Sequence, residues 1–409
     1  MQMYMIPYQS DTNYFLNGIT LQDLTVLTVK DLYSLELLNS DPKHLPFDVS
    51  TIIPSTPYIF PIRSDMLIIE RDSRRNKFLD SFSFTIPDDV IKDVKNNRCK
   101  ILIDNTIESY DIVTSTEITK INEIIKRTIS RYNLSKQDVI VATANLKTSK
   151  SKHYTVAVRN WASTLIKPCS KTFFNKQQSL ILNKSLRPKK ILTFMRKERS
   201  IRSQLAYYIY QNKLRDMNIV TFGKNVNPMM WETTKANFSN KADFLSTLPW
   251  HYDIELTDVK NLSQITSYTE SEQLAYLETY INCPVEISIE YKINELDISE
   301  KTFKPIAFLQ PFVVFGQPAT LEYLKDEGYK TFDKWWDESY DTIIDSRIKF
   351  GMLTDLYKKL SKTSHSQLAE MLYEMWPILE HNYYKYCDYM NSGDTYQNLL
   401  KTISECFDK

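Results

Sequence analysis

The sequence predicts a two-domain α/β protein, and three observations carry that expectation. The 409 residues exceed what one hydrophobic core organises, so the chain should divide into units of roughly 150 to 200 residues. Short β-branched apolar runs alternate with stretches of helical periodicity, once after Lys100 and again after Ile191; that order builds parallel sheets covered by helices. Finally, two of only six glycines, Gly223 and Gly316, directly follow candidate strands, at the edge where such a sheet binds ligands.

Taken in order, TLQDLTVLTVKDLYSLELLN (Thr20–Asn39) has helical spacing and DMLIIE (Asp65–Glu70) reads as a strand. KILIDN (Lys100–Asn105), a helix from about Thr116 to Tyr132, and DVIVATAN (Asp138–Asn145) then form a βαβ unit with parallel strands. The segment LNKSLRPKK (Leu182–Lys190) reads as a joint between domains. After it the order repeats: strand ILTF (Ile191–Phe194), helix Ile201–Leu214, strand NIVTF (Asn218–Phe222), strand PVEISIE (Pro284–Glu290), a helix starting near Thr302, and strand PFVVF (Pro311–Phe315). Beyond Asp341 the chain reads as helical, and the Met, Tyr and Trp stripe of SQLAEMLYEMWPILEHNYYKYCDYM is expected to be core packing.

Composition excludes several classes. With 42% hydrophobic and 25% charged residues the chain is an ordinary globular one. It contains no uninterrupted apolar run of the ~18 residues a membrane helix needs, and MQMYMIPYQSD lacks the basic start and apolar centre of a signal peptide. The expected location is the cytoplasm, that of the host if the gene is phage-borne; abundant Ile, Lys, Asn and Tyr with few glycines suggest an AT-rich genome such as a phage's. Five cysteines without CxxC spacing predict no disulfide framework, and five histidines without HxH or HExxH spacing predict no zinc site.

Charge is uneven. Lys147 to Arg202 holds fifteen Lys or Arg against one acid, Glu198. The local charge of +14 leaves −13 for the remainder of a chain whose net charge is +1. Tyr154, Trp161, Phe173 and Phe174 lie within this segment, and cations interleaved with rings suit a polyanion with exposed bases. A solvated linker and strand edge would give the same pattern.

Two constellations could carry chemistry. In SEKTFKP the proline belongs in the first turn of a helix, where its missing N–H costs nothing, so capping at Thr302 leaves Glu300 and Lys301 in the entering loop. A helix N-terminus attracts phosphate, Lys301 adds a full charge, and Glu300 could accept from ribose hydroxyls. An exposed ion pair capping the helix accounts for the same two residues. In MRKERSIRSQL, Arg196, Arg199 and Arg202 recur every three residues just after strand ILTF. Arginine forks bind diphosphate oxygens bidentately, and cations at a helix start oppose its dipole unless an anion is bound.

FMRKERSIR, PWHYD (Pro249–Asp253), VEISIEY, SEKTFKPIAFLQPFVVFGQPATLEYLKDEGYKTF and DESYD together resemble glycosyltransferases of the GT-B type. The likeness is to phage-encoded proteins with a TEKTFKP motif, distantly similar to exostosin and α-1,3-fucosyltransferase donor domains. It covers about Lys189 to Arg347 and is specific from SEKTFKP to DESYD. The resemblance implies a GT-B fold, two Rossmann-like domains facing a cleft with C-terminal helices: 1–185 binding acceptor, 186–350 binding nucleotide sugar, and 351–409 as helices that could pack back on the first domain. It implies donor contacts from Arg196, Arg199, Arg202, Glu290, Ser299, Glu300, Lys301 and Thr302, with Glu300 on the ribose and Lys301 beside the diphosphate. Ser299 stands where the pattern has Thr, and Ala319 where it has Gly; the first keeps a hydroxyl and the second is expected only to stiffen a turn.

Independently, no two aspartates are spaced D-x-D, the arrangement by which other sugar transferases hold a divalent cation on the diphosphate. Metal-independent catalysis without a cofactor is therefore expected, with a nucleotide sugar as co-substrate and cations neutralising the leaving group. A catalytic base should end a strand of the first domain: Asp104 ends KILIDN and Glu108 follows, although Asp104 could instead cap a turn. The acceptor could be a hydroxymethylated base in phage DNA, a surface polysaccharide or a protein. A non-catalytic DNA-binding protein using residues 147–202 is the competing class.

Overall fold

The computed structural model describes residues 4–5, 58–63, 86, 88–105, 125–143, 146, 154–157, 166, 168–195, 200–223, 241–250, 279–290, 296, 298–392 and 405–407. The chain forms two compact units, Met1–Ala162 with Ser392–Lys409, and Ser163–Asn391. The helix expected at Thr20–Asn39 and the strand DMLIIE lie outside the described residues, as does the N-terminal part of the helix expected from Thr116.

The first unit holds a parallel sheet whose strands lie in chain order: β1 (Tyr4–Met5), β2 (Tyr58–Arg63), β3 (Cys99–Asn105), β4 (Val139–Thr143) and β5 (Tyr154–Ala157). Helix α1 (Asp88–Lys95) precedes β3, and helical residues 125–132 precede β4, giving the expected βαβ unit. All five residues of β4 are buried, as a strand covered on both faces requires. Lys100 on β3 is buried and pairs with Asp138 at 3.2 Å; Asp138 also accepts from the Ser135 amide, closing the turn that feeds β4. The C-terminal residues return to this unit: the Phe407 carbonyl accepts from Asn97 and its ring lies 6.0 Å from Lys100 Nζ.

The second unit begins with helix α2 (Lys171–Leu182) and holds β6 (Ile191–Met195), α3 (Ser200–Gln211), β7 (Ile219–Phe222), α4 (Lys241–Ser246), β8 (Val285–Ile289), α5 (Glu300–Ala307), β9 (Phe312–Phe315), α6 (Thr320–Asp326), α7 (Ser346–Lys362) and α8 (His365–Ser392). Its sheet is parallel with order β7-β6-β8-β9. The mixed α/β architecture with parallel sheets is therefore as the sequence predicts, and every residue of β8 and β9 is buried.

LNKSLRPKK is not a free joint. Arg187 donates to Gln177 Oε1 at 2.8 Å and to the Ile281 carbonyl, and Lys190 donates to the Ser361 carbonyl near the end of α7 at 2.8 Å, where a cation complements the helix dipole. Among the described residues of the basic segment, Arg187, Lys190 and Arg202 are buried within this unit. They satisfy internal carbonyls, so the run of positive charge in sequence is not one surface in space.

The α8 stripe is core: Leu368, Leu372, Met375, Trp376, Leu379, Tyr383 and Tyr386 are buried at helical spacing. Phe174 of α2 packs on Trp376 and Tyr383, and Phe303 of α5 stacks on Tyr386 and Tyr389. Helix α5 is thereby clamped between the sheet and α8.

Candidate functional site

In the second sheet the chain leaves β6 in one direction to reach β7 and continues in the other from β8 to β9. Neighbouring β6 and β8 thus flank the point where strand order reverses, and a parallel sheet opens a crevice there, outside its strand C-termini. The residues that follow those two strands line its mouth.

After β8 comes Glu290, buried at the sheet edge. Its carboxylate accepts from the Ser299 amide at 3.2 Å, Ser299 Oγ at 2.5 Å and Thr302 Oγ1 at 2.6 Å. Ser299 in turn caps α5, its Oγ accepting from the Lys301 amide at 3.3 Å and from Lys301 Nζ at 3.1 Å. Glu290, Ser299 and Thr302 therefore fasten the first turn of α5 to the strand end. Gly316, which closes β9, makes room for this: a Cβ there would lie 3.0 Å from Thr320 Oγ1 and 3.5 Å from the Glu290 side chain.

Helix α5 starts earlier than the proline rule predicts. It begins at Glu300 with Ser299 as cap, and Pro305 sits inside it, so Glu300 and Lys301 belong to the first turn rather than to a loop. A proline at this depth leaves the Lys301 carbonyl without the amide four residues on. Ser288 Oγ of β8 supplies the missing donor at 2.8 Å, which is how the sheet offsets the break.

Lys301 and Glu300 form an ion pair at 2.7 Å, their side chains 25% and 28% exposed. Burial pushes the Glu300 carboxyl up, but the Lys301 charge and hydrogen bond, with Lys304 behind them, hold it below its ordinary value. For Lys301, burial and the Arg202 charge pull down, while Glu300 and Glu290 hold its ammonium above the ordinary value. Arg202, the third residue of α3, is buried and donates to the Ile289 carbonyl at 2.9 Å. The cations of α3 and α5 thus meet at the C-terminal end of β8. Arg196 and Arg199, after β6, lie outside the described residues.

In the first unit Asp104 is the penultimate residue of β3, paired in register with Arg63 and Ala142 on either side; its side chain and Glu108 lie outside the described residues. The motif PWHYD is described as far as Trp250, which is buried, pairs with Phe222 beside β7 and packs on Phe244.

The sequence reading missed two groups near β9. Lys349 of α7 is buried, donates to the Gly316 carbonyl at 2.7 Å, and is pulled by burial to a pKa of about 8 against the opposing charge of Asp341. Asp341 receives the Leu321 and Glu322 amides of α6 at 3.0 and 3.2 Å, and its carbonyl accepts from the Ala319 amide. DESYD thus pins the turn after β9. That turn places Ala319 at φ 66°, ψ 25°, left-handed backbone that costs an L-residue about 1 kcal/mol, so the substitution strains the turn rather than merely stiffening it. Ala319→Gly is expected to raise stability by about 1 kcal/mol in urea unfolding; a loss would mean the alanine methyl has a packing role.

Among the described residues no group of three or more His, Cys, Asp or Glu is placed to hold a metal ion, and no helix is long and apolar enough to cross a membrane. No known protein family matches the chain, and no curated protein does. Among solved structures, a crystal structure of an α1,3-fucosyltransferase superposes with a TM-score of 0.34 at 11% identity, covering 88% of this chain and 92% of that one. A superposition this loose decides nothing about activity.

Proposed function

We propose that the C-terminal edge of the second sheet binds the diphosphate of a nucleotide sugar and that the protein is a glycosyltransferase acting on an acceptor hydroxyl. The observation that carries this reading is the meeting of Lys301 on the first turn of α5 with Arg202 from α3, beside the reversal in strand order. Oriented amides, a helix N-terminus and fixed cations are what a departing diphosphate needs, and they act without reorganising. Glu300, partly exposed beside Lys301, is suited to accept from a ribose diol, and Arg196 and Arg199, which follow β6 in the sequence, are the proposed further contacts to the diphosphate.

In this reading the reaction needs no metal, and Asp104, near the end of the central strand of the first sheet, is the proposed base, with Glu108 as the alternative. A hydroxymethylated base in phage DNA as acceptor rests on the basic segment. The burial of Arg187, Lys190 and Arg202 removes part of that support and leaves polysaccharide or protein acceptors on an equal footing.

Titration calorimetry with uridine, guanosine and cytidine diphosphates tests the site. One of them should bind, and Lys301→Ala should weaken it about 10- to 100-fold, the worth of a charge-assisted hydrogen bond. Arg196→Ala should also weaken it. If no nucleotide binds, or if Lys301→Ala binds like wild type, the reading fails.

A further inference from the structure

We infer that a proton carried by Glu286 holds the first turns of α5 in place through Ser288, making Glu286 and Ser288 positioning residues for Lys301. As a statement about binding, this rests on Lys301 being the diphosphate contact.

Pro305 cannot donate to the Lys301 carbonyl, and Ser288 Oγ lies 2.8 Å from that oxygen. Ser288 Oγ also lies 3.2 Å from Glu286 Oε1. A hydroxyl has one proton; once it is given to Lys301, the contact with Glu286 is favourable only if the carboxyl supplies the proton. The other carboxyl oxygen is already an acceptor, from Tyr280 OH at 2.6 Å. The chain therefore runs Tyr280 to Glu286 to Ser288 to the Lys301 carbonyl, each member donating to the next, with a neutral carboxyl in the middle.

The surroundings favour that state. Glu286 and Ser288 are buried, and the paired residue on β9 is Phe312, while that on β6 is Leu192. The charged or titratable groups facing Glu286 are Lys304 of α5, Tyr280 of helical residues 279–282, and the Cys283 thiol. Lys304 Nζ also lies over the Phe194 ring at 4.8 Å. Burial raises the Glu286 pKa to about 7 against the pull of Lys304, Tyr280 and Ser288. At this carboxyl the folded state thus holds more proton than the unfolded chain between 4.5 and about 7. The Glu286 contribution to stability falls as pH rises through that interval and levels off above it. An ionised Glu286 is also the stronger acceptor; it draws the Ser288 proton and leaves the Lys301 carbonyl unpaired.

The test uses the full chain and two readouts. Amide hydrogen exchange of peptides covering Glu300 to Ala307, corrected for intrinsic rates, is compared at about pH 6 and about pH 8, either side of the Glu286 transition. Wild type should lose protection about fivefold at the higher pH, the worth of one hydrogen bond. Glu286→Gln, whose amide donates to Ser288 at every pH, should stay protected at both, and Ser288→Ala should exchange fast at both. An identical pH response in wild type and Glu286→Gln overturns the proposal. Uridine, guanosine and cytidine diphosphate affinities are measured alongside, and that of the one that binds should fall by a similar factor in wild type only. If exchange behaves as expected and none of the three binds, the proton relay stands and the donor-site reading falls.

Discussion

Replacing Phe303 by alanine is expected to lower the stability of the second unit by about 3–5 kcal/mol, a large share of the ~5–15 kcal/mol that holds a native protein together. The side chain is fully buried. Its ring stacks on Tyr386 at 5.3 Å and Tyr389 at 6.0 Å, nearly parallel to both, and meets Tyr329 edge-on at 6.0 Å. Alanine would leave a cavity between α5 and α8 that rigid neighbouring rings fill poorly. The helix that would move carries Glu300 and Lys301 on its first turn, so nucleotide affinity should fall with stability. Phe303→Leu keeps most of the volume and should cost under about 1.5 kcal/mol. Urea unfolding followed by circular dichroism separates the two; equal costs for Ala and Leu would mean that ring stacking, not volume, is what the site requires.

Much of the sheet framework was legible because strands such as β4, β8 and β9 are buried along their whole length. KILIDN, ILTF, NIVTF and PFVVF read as short apolar runs with no competing period, and Gly223 and Gly316 mark two ends. Helix α5 starts at Glu300 rather than near Thr302 because the restriction that proline imposes is local and the strand behind the helix relieves it. Ser288 replaces the lost hydrogen bond, and no window of α5 alone contains that information. A signal was nonetheless present: in VEISIE, Glu286, Ser288 and Glu290 alternate, which places three polar groups on one face of a strand whose every residue is buried. Buried polar residues at period two require partners, and the partners are Tyr280 and the first turn of α5. The +14 segment misled for the converse reason. Linear charge density does not reveal that Arg187 and Lys190 point inward, because their partners are backbone carbonyls at Ile281 and Ser361, far along the chain.

Glu290→Ala should be the most damaging change at the site itself. The carboxylate receives three hydrogen bonds, and truncation leaves the Ser299 amide and the Ser299 and Thr302 hydroxyls buried beside a void. Each unsatisfied group costs about 1–3 kcal/mol, so a loss of about 3 kcal/mol or more is expected in urea unfolding, with nucleotide binding lost alongside. Glu290→Gln retains an oxygen for the Ser299 amide and Thr302, and its amide nitrogen can donate to Ser299 Oγ in place of Lys301 Nζ, so most of the stability should return. The two variants separate two roles. If Glu290 acts by fastening α5 to the sheet, the glutamine variant folds and binds nucleoside diphosphate nearly as wild type does, with a modest change from losing the charge that raises the Lys301 ammonium. If it folds normally but binds as poorly as Lys301→Ala, then Glu290 reaches the ligand directly and belongs among the binding residues.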